Sequence, residues 1–304
     1  VAIIVTVLRT LRFGRPAQSN PTGSRLALAT ILLAAPYTAA AQEKLRFAVG
    51  PFQPTPTDTR KAYEPFFKHL AEKLGRPFDL VVTNDWAGIS VALANRQADV
   101  AWMGPWGYVL AHQEGGARAI ATVKYDGKPT YHAILLGKPG LKIERWPEGA
   151  KGLKLSLADV GSTSGWLIPT HYFKSKGIDP KTFFQYRDGA SHPANVMAVA
   201  TSQVDLASDY DRNFTAMVER GVVKREDLRI VWTSDPLPND PLVVRNGFDA
   251  GLSAKLQEAV LAITEAQAKT LMPNHYTGWV KADHSSYKLI EDAGIAVGRI
   301  KPKS

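Results

Sequence analysis

The chain contains no cysteine, which excludes a disulfide framework, a thiolate metal site and a cysteine nucleophile, while leaving the compartment open. No cluster of Lys and Arg interleaved with aromatic platforms runs through it, so nucleic acid is excluded as a partner. No H-x-x-x-H or similar pair joins any two of its 7 histidines, and no Walker sequence or dinucleotide fingerprint is present; no metal and no cofactor is expected. The first 41 residues lack any acid but carry Arg9, Arg12, Arg15 and Arg25, which account for four charges of a formal net charge of +9. The remaining positive excess is spread as on an ordinary soluble surface.

What is present starts with that leader. A basic stretch ends at Arg25, an apolar run follows from Leu26 to Ala35, and Ala39-Ala40-Ala41 precedes Gln42. This is the order of a secretory signal, with cleavage expected after Ala41. The apolar run is shorter than the roughly 20 residues that cross a bilayer. No cysteine follows to carry a lipid anchor. Residues 1–41 are therefore expected to be a signal peptide, and the mature protein to be periplasmic.

After Gln42, short apolar runs alternate with helical patterns, which predicts an α/β fold. Strands are expected at Leu45–Val49, Phe78–Val82 and Val100–Met103. Between them fall a helix with Pro65 in its first turn, ended by Gly75, and a second helix at Trp86–Asn95. The same order returns about a hundred residues later: strand Leu153–Leu157, helix Trp166–Lys176 closed by Gly177, strand Phe184–Tyr186, helix Pro193–Ser202, strand Val204–Ser208. Ala92-Leu93-Ala94 with Gln97, Asp99, Val100 and Ala101 matches Ala198-Val199-Ala200 with Gln203, Asp205, Leu206 and Ala207. In that register Trp86 lies opposite His192. A duplicated unit implies two lobes, joined by strands crossing near Tyr131–Leu136 and Val231–Val244. Ligands of such sheets bind at the carboxyl ends of the strands, where the helices begin.

Gly161-Ser162-Thr163-Ser164-Gly165, between a strand and a helix, is the most informative segment. Helix-start N–H groups lack intrahelical partners and attract anions. The glycines permit close backbone approach and the hydroxyls add donors. An ordinary N-cap with spare serines has the same composition. Opposite it, Trp86 and His192 offer neutral ring N–H donors, which suit an oxyanion in a dry cleft. Asp209, Asp211 and Asp240 lie nearby in sequence terms and can accept from a protonated ligand oxygen, although loop aspartates commonly just form turns.

From Leu45 to about Arg245 the chain resembles the periplasmic phosphonate/phosphite-binding proteins of ABC transporters. The resemblance rests on Asp99-Val100-Ala101-Trp102-Met103-Gly104, on Ser162 to Gly165 followed by Pro169, on His192 with Asn195, and on Pro238, Asp240 and Pro241. It implies a two-lobed periplasmic-binding-protein fold of type II-like topology. It also places the ligand's oxygens on Ser162, Thr163, Ser164 and His192, an aromatic wall at Trp86 and an aspartate at Asp240. Relatives that bind aminoethylphosphonate have tyrosines at the positions of Trp86 and Met103, and a ligand-contacting glutamate at the position of Arg212. A cation there disfavours an amine, and the bulkier, less polar wall points to a smaller ligand such as phosphite, methylphosphonate or a close analogue. The arsenite-sensing variant of the family uses a cysteine that is absent here.

The expected ligand-binding set is Trp86, Met103, Tyr131, Ser162, Thr163, Ser164, His192, Asp209 and Asp240. Lobe 1 is expected to comprise about residues 42–135 plus 241–304, and lobe 2 about 145–235. The expected partners are a small oxyanion and an inner-membrane ABC permease, with the protein acting as a monomer. A sensor-kinase partner is the alternative. An enzyme is not expected. The Gly161–Gly165 segment has Thr163 where a G-x-S-x-G nucleophile elbow needs serine, and no spacing supports a triad of a serine, His192 and an aspartate. A regulator's effector domain would need a helix-turn-helix near one end; the C-terminal segment instead predicts a helix at about Ser253–Thr270.

Overall fold

A computed structural model describes residues 43–302; the expected signal peptide and Gln42 lie outside the described residues. In chain order the first elements are β1 (Leu45–Val49), α1 (Pro56–Leu74), β2 (Phe78–Val82), α2 (Trp86–Ala94), β3 (Val100–Trp102), α3 (Pro105–Gly115), β4 (Arg118–Tyr125), β5 (Thr130–Tyr131) and β6 (Ala133–Gly137). The middle of the chain forms β7 (Lys154–Ala158), a π-turn (Thr163–Leu167), α4 (Ile168–Ser175), α5 (Pro180–Phe183), β8 (Gln185–Ala190), α6 (His192–Ala200), β9 (Leu206–Tyr210) and α7 (Asp211–Glu219). It ends with β10 (Arg229–Thr233), β11 (Leu237–Pro238), β12 (Pro241–Val244), α8 (Ala250–Leu261), α9 (Glu265–Leu271), β13 (Tyr276–Lys281) and α10 (Lys288–Ala296). Among these helices none is long and apolar enough to cross a membrane.

Two sheets carry two lobes. The first runs β13-β4-β12-β3-β1-β2 and the second β10-β6-β9-β7-β8. Each has a central strand (β1 or β7) flanked by two parallel neighbours, and then an antiparallel strand contributed from the far side of the hinge. The duplication read from sequence holds bond for bond. Asp99 N donates to Arg46 O, and Asp205 N to Lys154 O. The carboxylates of the same two residues accept from Arg46 N and Lys154 N. Arg96 and Ser202, which also correspond, both take a left-handed turn, at φ 56° and 60°.

The crossing between lobes is narrower than expected. It is the two-stranded ribbon in which Tyr131 pairs with Leu237 and Thr130 with Pro238. β6 and β10, which the expected crossing segments included, belong to the lobe 2 sheet. α10 spans the lobes behind this hinge: Lys174 Nζ donates to Val297 O at 3.1 Å, and Arg299 sits 5.3 Å from the Trp166 ring.

Three helices differ from expectation. α1 starts at Pro56 under a Thr55 cap, so Pro65 lies in its interior. Proline costs that helix a hydrogen bond, but Tyr63, Phe66, Phe67 and Leu70 are buried along the same face and hold it. The segment expected as one helix over Ser253–Thr270 is two, because Thr264 and Gln267 form a capping box that restarts it. The helix expected at Trp166–Lys176 begins earlier, as the π-turn, with Ser162 as its cap. Pro169 has no N–H for the Gly165 carbonyl, and Ser208 Oγ supplies that donor at 2.6 Å.

The lobes approach closely at Gly161. A Cβ there would lie 2.4 Å from Ala87 N and 2.7 Å from the Trp86 carbonyl carbon. Both are backbone atoms of α2, so neither side can give by rotating a side chain. Gly161→Ala is therefore expected to leave each lobe folded but to hold them apart, with a larger radius of gyration in solution scattering and a lower melting temperature. An unchanged scattering profile would show that this contact does not control closure.

Candidate functional site

The starts of five helices converge on one cavity between the lobes: Trp86 opens α2, Gly104 caps α3, Ser162 caps the π-turn, His192 opens α6 and Tyr210 caps α7. Helix N-termini carry partial positive charge from aligned peptide dipoles. The cavity therefore has the field of an anion site before any charged side chain is counted. Its volume is about 20 Å³, room for a compact guest and not for an extended one.

Phe52, Trp86, Gly104, Tyr131, Ser162, Thr163, Ser164, His192, Tyr210, Arg212 and Asp240 line it. The three hydroxyl residues are each 3% exposed, so their polar atoms must be satisfied internally or by a ligand. Ser162 Oγ accepts from Gly165 N at 3.1 Å, and Thr163 Oγ1 accepts from Trp106 N, across the lobes, at 2.8 Å. A hydroxyl that accepts one N–H keeps its hydrogen for donation, here to Tyr131 or to a guest in the cavity. Tyr131 reaches the Ser164 and Thr163 hydroxyls from the hinge, and burial pushes its phenol well above the ordinary value.

His192 stands between Ser162 and Asp209. Its Nδ1 lies 3.1 Å from Asp209 Oδ1 and its Nε2 2.8 Å from Ser162 Oγ. Sequence spacing does not reveal this line of serine, histidine and aspartate. Burial raises the Asp209 carboxyl, against which hydrogen bonds from His192 and Asn213 pull it down. Asp209 thus fixes the imidazole from behind and does not line the cavity itself. Ser162 Oγ is meanwhile held as a helix cap. The line orients a ring.

Trp86 closes the opposite wall, edge-on to Phe52 at 4.8 Å and to His192 at 6.4 Å. The two residues that correspond in the repeat, each at the start of its unit's second helix, thus meet across the cavity. Met103 is displaced from its expected place. It lies fully buried in the core, where its methyl abuts Gly107, and is not on the cavity wall. β3 ends at Trp102, and α3 folds back directly over the following residue, so the Met103 side chain is covered before it can reach the ligand side.

Phe52, Gly104 and Tyr210 were not anticipated. Arg212 was anticipated only as a misplaced cation. It donates through Nη2 to Asp240 Oδ2 at 3.0 Å, and both side chains are almost wholly buried. Burial raises the Asp240 carboxyl and the guanidinium beside it opposes that rise. Arg212, Tyr210 and Phe52 also line a wider outer cleft of about 490 Å³, which Tyr63, Tyr125, Asn213, Glu219, His275 and Tyr276 share. Among the described residues no group of three His, Cys, Asp or Glu side chains is placed to hold a metal.

Two α/β lobes that close over a cavity of helix starts and hydroxyls define a two-lobed solute-binding protein. Comparison with known proteins narrows the class. Residues 47–287 match the model of the ABC transporter, phosphonate, periplasmic substrate-binding protein family, and the chain belongs to that family, whose members serve transport and are not enzymes. It is similar to the phosphonates-binding periplasmic protein of Escherichia coli K12, at 28% identity over 77% of this chain and 70% of that protein. Its fold matches the binding component of an ABC phosphonate transporter from Pseudomonas aeruginosa, with TM-score 0.76, 25% identity, and coverage of 84% of this chain and 87% of the other. It also matches PhnD1 of Prochlorococcus marinus, solved in complex with methylphosphonate, with TM-score 0.74, 18% identity, and coverage of 84% and 98%; at that identity the likeness concerns the fold.

At the mouth of the outer cleft His275 ties the lobes. Its Nδ1 is 3.0 Å from Asp126 in its own lobe, and its Nε2 is 3.1 Å from Glu219 at the end of α7 in the other. Burial pulls the imidazole down, but the hydrogen bonds to the two carboxylates outweigh it and the net shift is upward. A raised folded pKa means stabilisation that is complete below the unfolded value of about 6.5 and is lost as pH rises through the folded value. The melting temperature of the native protein is expected to exceed that of His275→Gln at pH 5.5 and to converge on it by pH 9. A difference that persists unchanged across that range would remove the charge from this contact.

Proposed function

We propose that this chain captures phosphite or a small phosphonate in the inner cavity, in the periplasm, and delivers it as a monomer to the permease of an ABC importer. The observation that carries the ligand class is the Thr163 hydroxyl. It lines the cavity while its oxygen accepts the Trp106 N–H of the opposing lobe, so a donor offered to the ligand is set in place by contact between the lobes. Closure and oxyanion binding are thereby one event. The order of basic, apolar and small residues up to Ala41 supports export through a cleaved leader, and N-terminal sequencing of the periplasmic fraction is expected to begin at Gln42. A mature protein retained in the cytoplasm with residues 1–41 attached would contradict export.

Ser164 and Ser162 complete the cradle with Trp86, Tyr131, His192 and Asp240, and Asp209 supports it from behind His192. A thermal-shift panel of phosphite, methylphosphonate, phosphate, arsenate and sulfate tests the class. A ligand present at 100 times its Kd stabilises by about 2.7 kcal/mol, so the cognate anions are expected to raise the melting temperature and sulfate to leave it in place. Thr163→Ala combined with Ser164→Ala removes two charge-assisted hydrogen bonds of about 1.5–3 kcal/mol each. Calorimetry is expected to show affinity lowered by at least about a hundredfold in a protein that still melts cooperatively. Unchanged affinity in that double variant would place the ligand elsewhere.

A further inference from the structure

The inner cavity and the outer cleft meet at Arg212, Tyr210 and Phe52, which line both, so a tail attached to a head group in the cavity can run out beside Arg212. Arg212 is 6% exposed. Its Nη2 is taken by Asp240, but Nε and Nη1 are buried and have no hydrogen-bond partner. The rings of Tyr131, Tyr210, Tyr125 and Tyr276 lie 4.6 to 5.9 Å from the guanidinium carbon. Their π-faces stabilise the charge, yet none of their hydroxyls accepts from Nε or Nη1. A guanidinium is never neutral in a protein, and buried donors without acceptors are costly.

We infer that the unpaired Nε and Nη1 of Arg212, at the junction of inner cavity and outer cleft, receive a second acidic group, so that the preferred ligand is a phosphonate with a short tail ending in a carboxylate. This rests on the reading of the inner cavity as a phosphorus-oxyanion cradle. The rest of the outer cleft does not set the sign of the tail. Its lining carries both signs, Asp58 and Glu219 beside Arg220 and His275, and each of these already has a hydrogen-bond partner: Glu219 has His275, Arg220 has Gln53, and Asp58 has the Thr55 hydroxyl. Asp240 is compensated by Arg212 itself, which leaves the inner end of the cleft with donors to spare. A tail ammonium would meet that cation directly and be repelled.

Titration calorimetry on the full-length mature protein tests this with methylphosphonate, phosphonoacetate, 3-phosphonopropionate and 2-aminoethylphosphonate. The native protein is expected to bind one of the two phosphonocarboxylates at least about tenfold tighter than methylphosphonate, as a charge-assisted contact provides, and 2-aminoethylphosphonate most weakly. Because Arg212→Gln alone would strand a buried carboxylate, the variant used is Arg212→Gln with Asp240→Asn, its folding checked by melting. Asp240 also lines the cradle, so this variant is expected to bind every phosphonate more weakly, with the ratio of phosphonocarboxylate to methylphosphonate affinity falling to about one. Methylphosphonate binding as tightly as both phosphonocarboxylates in the native protein overturns the inference while leaving the oxyanion cradle intact. A native protein that binds neither methylphosphonate nor phosphite overturns the cradle, and this inference with it.

Discussion

An anion withdrawn from water has to find its donors already in place, and that requirement organises this molecule. Burying a charge without compensation costs far more than any one contact returns. The chain meets the requirement largely with backbone: α2, α3, the π-turn, α6 and α7 all start at the same point. Helix starts keep their N–H groups fixed without loss of side-chain freedom, and they do not have to be neutralised when the site is empty. The hydroxyls at Ser162 to Ser164 then convert a diffuse field into directed bonds.

The same requirement explains why the two lobes are held by polar as well as apolar contacts near the cavity. Trp106 N–H reaches Thr163, and its indole reaches Val160 O at 3.2 Å, while Trp86 N donates to Asp159 at 3.1 Å. Each of these crosses from lobe 1 to lobe 2, and each ends on the β7 to π-turn segment. The anion loop is thus shaped by the opposite lobe as much as by its own. Burial raises the Asp159 carboxyl, and the backbone N–H groups of Gly161, Ala87 and Trp86 draw it back.

Much of this was legible in the residues. The repeat was visible because its helix ends and following turns are spelled with the same small and polar residues, and the structure shows why. Asp99 and Asp205 perform the same backbone tie, which few other side chains can make. The hydroxyl loop was visible because glycine and serine at a strand-to-helix turn have few other uses. What was not legible is what lacks a pattern. α3 buries Pro105, Trp106, Gly107, Tyr108 and Val109 in succession, so it shows no helical period. Phe52 and Tyr210 reach the cavity from a loop and a strand end, and nothing in their local spelling separates them from core aromatics. Arg212 stood out as a charge in the wrong place, but only the closed geometry shows that two of its nitrogens lack partners. Met103 was misplaced because the resemblance carried over the position of a tyrosine, whereas the methionine there is buried in the core against α3.

The paired aspartate ties have a mechanical consequence. In each lobe they bind the entry of β1 or β7 to the loop that follows α2 or α6, tying sheet to helix as one plate. Compliance is left to the short β5–β11 ribbon. A ligand's grip is then not dissipated in bending either plate. It appears as rotation about one axis, like the jaws of a caliper, and any docking surface that spans both jaws can read the difference between empty and loaded.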